Sequence, residues 1–213
     1  MTHTFINKVR EKLQNDLPGV EAQYKMTHAV RRTYAPAPPD ARTAAVMCLF
    51  YEKNDEPYLV FIRRTSSNPN DNHGGQIAFP GGKSEEEDAD YASTALRETE
   101  EEIGLPTADI EVLGALTPLY IPVSNFQVYP FVGYLRHVPK FIPQETEVEE
   151  ILEIPYSLFL DKGIRKLKDI RVRDNMTLKD VPYFALGDRV LWGATAMMMS
   201  ELLEVLEEAE AES

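Results

Sequence analysis

The stretch ALRETEEEIGL, residues 95–105, decides how this chain is read. Glu98, Glu100, Glu101 and Glu102 crowd four carboxylates into little more than one helical turn. Glu98 and Glu102 stand i,i+4. On an isolated helix such a like-charged pair costs roughly 0.2–0.5 kcal/mol. At about 100° per residue, Glu98 and Glu102 point within about 40° of one another, and Glu101 lies about 60° to the other side of Glu98. Glu100 points about 160° away, toward solvent. Three carboxylates therefore share a face that borders the apolar arc Tyr91, Ala92, Ala95, Leu96, Thr99 and Ile103. Carboxylates crowded beside a core take up protons unless a cation sits among them. A hard divalent ion, Mg²⁺ or Mn²⁺, takes oxygen ligands and relieves the crowding. Arg97 pairs with Glu101 at i,i+4, and Gly104 stops the helix as its C′ residue. Left alone, a glutamate run also reads as a solvated helix face.

The rest of the chain narrows the choice. The 213 residues suffice for one domain with a sizeable core, and 43% hydrophobic content is ordinary for a globular protein. With 35 Asp and Glu against 22 Lys and Arg, the net charge is −13. That balance excludes a broad nucleic-acid footprint, and an anionic substrate needs a metal or a local cationic site. The lone Cys48, inside AAVMCLF, reads as a buried structural thiol in a reducing compartment. No stretch resembles a signal peptide or approaches the ~20 apolar residues of a membrane span. The expectation is a soluble cytoplasmic protein that engages neither membrane nor nucleic acid, as a monomer or homodimer.

Residues 4–15 repeat apolar positions (Phe5, Ile6, Val9, Leu13) at helical spacing. The Pro-rich YAPAPPDA, 34–41, separates this arm, 1–40, from the main domain, 41–213. RTAAVMCLFYE and EPYLVFIRR, joined by KNDE, read as a β-hairpin. SSNPNDNHGG is a polar loop and QIAF a short strand broken by PGG. Residues 90–103 form the acidic helix. IEVLGALTPLYIPV and FQVYPFVGYLR are further strands, and EVEEILEIPYSLFL turns from strand into a short helix after Pro155. Residues 188–209 read as a closing helix with Trp192, Ala196, Met199, Leu202, Leu203 and Leu206 inward, trailing into the solvated tail EEAEAES. The pattern predicts a mixed α/β fold, a β-sheet sandwiched between helices.

GGKSEEEDADYASTALRETEEEIGL resembles the Nudix box, Gly-x5-Glu-x7-Arg-Glu-U-x-Glu-Glu-x-Gly-U, where U is usually aliphatic. Arg97, Glu98, Glu101, Glu102, Gly104 and Leu105 match in register. The interval from Gly82 to Arg97 is one residue longer than the common form, Asp88 best matches the first acidic position, and Thr99 stands where an aliphatic residue is usual. The resemblance implies the Nudix fold (α/β/α) and hydrolysis of a nucleoside diphosphate linked to another group, by water attack on phosphorus. Metals must then screen both anions and lower the pKa of water. It also implies Glu98 and Glu102 as principal metal ligands with Glu101 assisting, and Glu98, Glu101 and Arg97 in the catalytic set. Whether Glu98 holds metal or orients and deprotonates water stays open.

The preceding LVFIRRTSSNPNDNHGGQIAFPGG is similar to the extra motif of the coenzyme A diphosphatase branch, through Arg64, His73, Gly75, Gln76, Phe79, Pro80, Gly81 and Gly82. VYPFVGYL, EVEEILEIPYSLFL and WGATAMMMSELL are similar to the same branch, so the likeness spans about residues 40–205. Asn70 and Asp71 replace the Leu and basic residue usual before the His. The resemblance implies hydrolysis of coenzyme A, or a derivative, to adenosine 3′,5′-bisphosphate and 4′-phosphopantetheine. The expected substrate contacts are Arg63, Arg64, His73, Gln76, Gly82 and Lys83. Arg64 also reads as a surface ion-pair partner, His73 as a loop cap, Gln76 as a partner for backbone groups, and Phe79 and Pro80 as packing and loop rigidity. Glu147 or Glu150 is a candidate for one more metal carboxylate from a later loop. The rivals are another substrate such as ADP-ribose or NADH, and a Nudix scaffold that binds without catalysis.

Overall fold

The structure, a computed structural model, describes residues 3–28, 36–66, 73–172 and 176–211. Tyr34 and Ala35 of the Pro-rich connector, and Asn70 and Asp71 of the polar loop, lie outside the described residues.

The hairpin forms where KNDE predicts it. Strand β1 (Arg42–Lys53) pairs antiparallel with β2 (Glu56–Arg64), and Lys53 faces Glu56. Asn54 and Asp55 both take positive φ (55° and 62°), as a two-residue primed turn requires. The central strands alternate between two apolar clusters rather than between core and water. Ala44, Cys48, Phe50, Leu59 and Phe61 join one, while Ala45, Met47, Leu49, Val60 and Ile62 join the other. Burial on both faces is why β1 reads as a near-continuous apolar run.

Helix α3 (Tyr91–Ile103) covers the second cluster through Ala95 and Ile103. The first cluster is covered by α1 (His3–Lys12) and α5 (Gly193–Ala211), through Phe5, Ile6 and Val9 on one, Leu13 just past its end, and Leu202, Leu203 and Leu206 on the other. The expected sheet between helices is therefore present. Around β1 and β2 gather β3 (Ile77–Ala78), β4 (Gly81–Lys83), β5 (Ile110–Ala115), β6 (Leu119–Ile121), β7 (Phe126–Leu135) and β8 (Val148–Pro155). The path runs β3-β2-β1-β7-β5, with β4 also on β1, β6 on β7 and β8 on β2. Among the described residues only β1 and β7 pair in parallel.

Two features differ from the sequence reading. The closing helix begins at Gly193, not 188, because Arg189–Trp192 is a strand. Gly187 (φ 66°) opens a turn that pairs Leu186 with Arg189. Trp192 consequently ends a strand, half-buried, and is not an inward helix residue. That strand, β11, joins β9 (Arg165–Arg171) and β10 (Thr177–Leu186) in a three-stranded sheet that the sequence reading lacks. Among the described residues no helix is long and apolar enough to cross a membrane.

Helix α2 (Gly19–Tyr24) is held by a buried carboxylate. Glu201 of α5 is fully enclosed; one oxygen accepts from the Gly19 N–H (3.2 Å) and the Thr117 N–H (3.1 Å), and the other from Gln23 Nε2 (2.8 Å). Gln23 also donates to the Thr117 carbonyl at 2.7 Å. Removing the carboxylate leaves buried N–H donors without an acceptor, which costs about 1–3 kcal/mol each. Glu201→Leu is expected to lower Tm by about 5 °C or more, since 1 kcal/mol shifts Tm by roughly 2–4 °C in a chain of this size. Differential scanning fluorimetry checks this; an unchanged Tm contradicts the role.

Candidate active site

The acidic helix is built to present its carboxylates. Asp90 caps α3, accepting from the Ser93 N–H at 2.7 Å, and Gly104 ends it with φ 71°. A Cβ at Gly104 would collide with Ile142, whose N–H bonds the Ile103 carbonyl at 2.9 Å. Thr99, the polar residue in an aliphatic place, is fully buried and satisfies its hydroxyl by donating to the Ala95 carbonyl at 2.6 Å.

The four glutamates separate as the helical angles require. Glu102 is 2% exposed and accepts from the Gly81 N–H at 2.8 Å, while Arg64 Nη1 stands 3.4 Å from its other oxygen. Glu98 lies against β4, where a Cβ on Gly82 would overlap its carboxylate. Gly82 thus lets strand backbone approach Glu98 closely, whereas a Cβ on Gly81 would collide with Ala45 and Val46 of β1. Glu101 is largely exposed, and Glu100 turns away to accept from the Thr107 N–H at 3.2 Å.

Arg97 organises the loop ahead of the helix. It donates to both Asp88 oxygens (2.9 and 3.1 Å), to Glu98 (2.9 Å), to Glu101 (3.3 Å) and to the Lys83 carbonyl (3.1 Å). Asp88 also accepts from the Glu85 N–H and the Thr94 hydroxyl, so the lengthened loop is clamped at both ends. These bonds, Arg97 foremost, hold the Asp88 carboxyl well below the usual carboxylate range.

The electrostatics oppose ionisation at the centre. Burial pushes Glu102 up to about 8, against the pull of the Gly81 N–H and Arg64, and the charges of Glu98 and Glu147 push the same way. Burial also raises Glu98, opposed by Arg97. The donor set is all carboxylate oxygen, the chemistry a hard divalent ion takes. Among the described residues, no three His, Cys, Asp or Glu side chains converge on a point that would hold an ion. One or two carboxylates beside water and substrate phosphates suffice for Mg²⁺, so the residues fit such an ion, with water completing its shell before substrate arrives.

The other expected site residues divide by face. Arg64 meets Glu102 on the α3 side. Arg63 follows Leu59 and Phe61 toward α5, 2.7 Å from Glu149 and 3.9 Å from Glu150. Glu150 also pairs with Arg189, so two arginines occupy it. Lys83 is exposed at the end of β4, opposite Ala44. His73 Nδ1 and Gln76 Oε1 lie 3.3 Å apart. The Gly75 N–H bonds the Arg64 carbonyl and the Arg64 N–H bonds the Gln76 carbonyl, which sets this loop end beside Arg64. The sequence reading missed the Gly81–Glu102 bond and the Asp88–Arg97 clamp; the paired glycines and the Asp88 match were their only signals.

A mixed sheet with a capped acidic helix seated on a Gly-Gly strand defines a Nudix-type domain, and the family profile described as NUDIX domain matches residues 41–168. The chain belongs to the Nudix hydrolase family. Nudix hydrolase 15, mitochondrial, of Arabidopsis thaliana is 35% identical over 159 residues, 73% of this chain and 55% of that protein. The chain thus spans about half the length of that relative. The protein named "Uncharacterized Nudix hydrolase NudL" of Pectobacterium atrosepticum is 35% identical over 148 residues, 68% of this chain and 73% of that one. The crystal structure of the Nudix hydrolase RenU from M. Smegmatis superposes with a TM-score of 0.52 at 14% identity, covering 86% of this chain and 94% of that one, a likeness of fold.

Proposed function

We propose that this chain hydrolyses the diphosphate of coenzyme A, or of an acyl or oxidised form, to adenosine 3′,5′-bisphosphate and 4′-phosphopantetheine or its derivative. The observation that carries the hydrolase reading is the Glu98–Glu102 pair, desolvated against the glycines of β4. Glu98 and Glu102 would hold Mg²⁺ or Mn²⁺, with Glu101 and Glu147 assisting. An ion held there would neutralise the diphosphate and lower the pKa of the attacking water. Arg97 keeps Glu98 and Glu101 in place, and Arg64 offers the diphosphate a cation beside Glu102. Glu98 either ligates or takes the proton of the water. Glu150 is occupied by Arg63 and Arg189, which favours Glu147 as the later-loop carboxylate.

The coenzyme A assignment rests on the likeness of residues 64–82 to that branch, with His73 and Gln76 beside Arg64. A rival substrate such as ADP-ribose or NADH asks for the same diphosphate site. The 3′-phosphate separates the two. In a chain of net charge −13 it needs its own cation. Arg63 is held by two carboxylates and Arg64 serves the diphosphate beside Glu102, so of the three expected cations Lys83 is the anchor. A charge-assisted bond contributes roughly 1.5–3 kcal/mol, so dephospho-coenzyme A should be poorer by about tenfold or more in kcat/KM. Lys83→Ala should erase that preference and Arg63→Ala should keep it. Equal rates on both substrates in wild type contradict the coenzyme A reading; faster cleavage of ADP-ribose replaces it.

A further inference from the structure

Residues 141–147 form a clasp between the two elements that bear the site. At one end the Ile142 and Gln144 N–H groups donate to the carbonyls of Ile103 and Glu102, both at 2.9 Å. Phe141 packs its ring edge-on against Tyr51 of β1, 6.1 Å between centroids. A turn follows, in which the N–H groups of Glu147 and Val148 both bond the Gln144 carbonyl. At the other end Thr65, directly after β2, takes hold twice. Its N–H donates to the Glu147 carbonyl at 2.8 Å and its hydroxyl to the Thr146 carbonyl at 3.0 Å. Thr65 adjoins Arg64, whose guanidinium touches Glu102. The Glu147 main chain is therefore held by Thr65 on the strand side and, through the Gln144 turn, tied to the end of α3 on the other. Its charge is felt at both Glu98 and Glu102. The hydroxyl bond can be deleted without touching any carboxylate.

We propose that Thr65 is a positioning residue: its grip on the Thr146–Glu147 main chain sets where Glu147 stands relative to Glu98 and Glu102, and so sets the affinity for a divalent ion. The inference rests on the reading of Glu147 as an assisting ligand. Groups that orient metal ligands typically contribute 10–100-fold in metal affinity, and a bond to the ligand's main chain belongs near the low end.

The test is Mn²⁺ binding without substrate, followed by the paramagnetic resonance signal of free Mn²⁺. The proteins are wild type, Thr65→Val, Thr65→Ser, Glu147→Gln and the Thr65→Val/Glu147→Gln double variant, with folding checked by circular dichroism. Thr65→Val should weaken binding on the order of tenfold. Thr65→Ser, which keeps the hydroxyl, should bind as wild type. The double variant should bind no more weakly than Glu147→Gln alone, because both changes remove one ligand. Wild-type affinity in Thr65→Val beside weakened Glu147→Gln overturns the role of Thr65 and leaves Glu147 as a ligand. Wild-type affinity in Glu147→Gln overturns Glu147 and, with it, the role of Thr65. Additive losses in the double variant show that Thr65 does not act through Glu147, and overturn the inference alone.

Discussion

Glu102→Gln is expected to remove nearly all hydrolysis, a loss of at least 10²-fold in kcat, while the fold becomes more stable without metal. Both effects follow from one environment. The side chain is 2% exposed, and its carboxyl is pushed up to about 8 by burial. An unfolded glutamate titrates near 4.3. Between these values the folded, metal-free state binds a proton that the unfolded chain has released, so stability falls as pH rises from about 5 through 8. The fall should be on the order of 2 kcal/mol or more. Glu102→Gln flattens it, and Mg²⁺ should flatten it in wild type by supplying the missing charge. Chemical denaturation at pH 5 and 8, with and without Mg²⁺, measures this. A wild type no less stable at pH 8 than at pH 5 without metal would contradict the buried-carboxylate account. Glu100→Gln is the control: it keeps an oxygen for the Thr107 N–H and should change neither quantity.

Arg97→Ala should disable catalysis and loosen the loop before α3 together. It deletes the donor that Asp88, Glu98, Glu101 and the Lys83 carbonyl share. Asp88 is almost enclosed, so the loss leaves a charge without its partner. The cost should be on the order of 2 kcal/mol, because Arg97 is itself about a quarter exposed and part of its attraction is screened. The pH dependence has the opposite sign from Glu102. The Asp88 carboxyl is held low when folded, so its contribution is present above the unfolded value near 3.9 and is lost as pH falls toward the lower folded value. Wild type should therefore lose stability on acidification below about pH 4 more steeply than Arg97→Ala. Parallel acid-unfolding curves would show that the Asp88–Arg97 clamp contributes little.

The acidic helix was the most legible element because apolar arc and stop agree: Ala95 with Ile103, and Gly104 each found the place that spacing assigns, while Asp90, read as the first helical residue, is its cap. The hairpin was equally plain, since Asn54 and Asp55 suit positive φ. Strands β9 to β11 were not legible. Residues along β9 are mostly exposed and charged, so neither alternation nor an apolar run marks it. The Arg189–Trp192 segment has the apolar content of the helix that follows it, and only Gly187-Asp188 signals the turn. In the site, sequence spacing indicated which glutamates share a face but not which carboxylate a distant strand would enclose. The Gly81 N–H, which reaches Glu102 across 21 residues, was invisible to periodicity. Adjacent arginines were likewise indistinguishable by sequence, and strand alternation sends Arg63 to Glu149 and Arg64 to Glu102.

In the proposed reaction the carboxylate face of α3, with a divalent ion, cleaves a diphosphate within coenzyme A. Mass analysis of the products from coenzyme A, Mg²⁺ and wild-type protein in ¹⁸O-labelled water tests it most directly. The expected products are adenosine 3′,5′-bisphosphate and 4′-phosphopantetheine in equal amounts, one of the two carrying a single ¹⁸O, with neither formed by Glu102→Gln. Intact coenzyme A after prolonged incubation, beside ready cleavage of ADP-ribose, would contradict it.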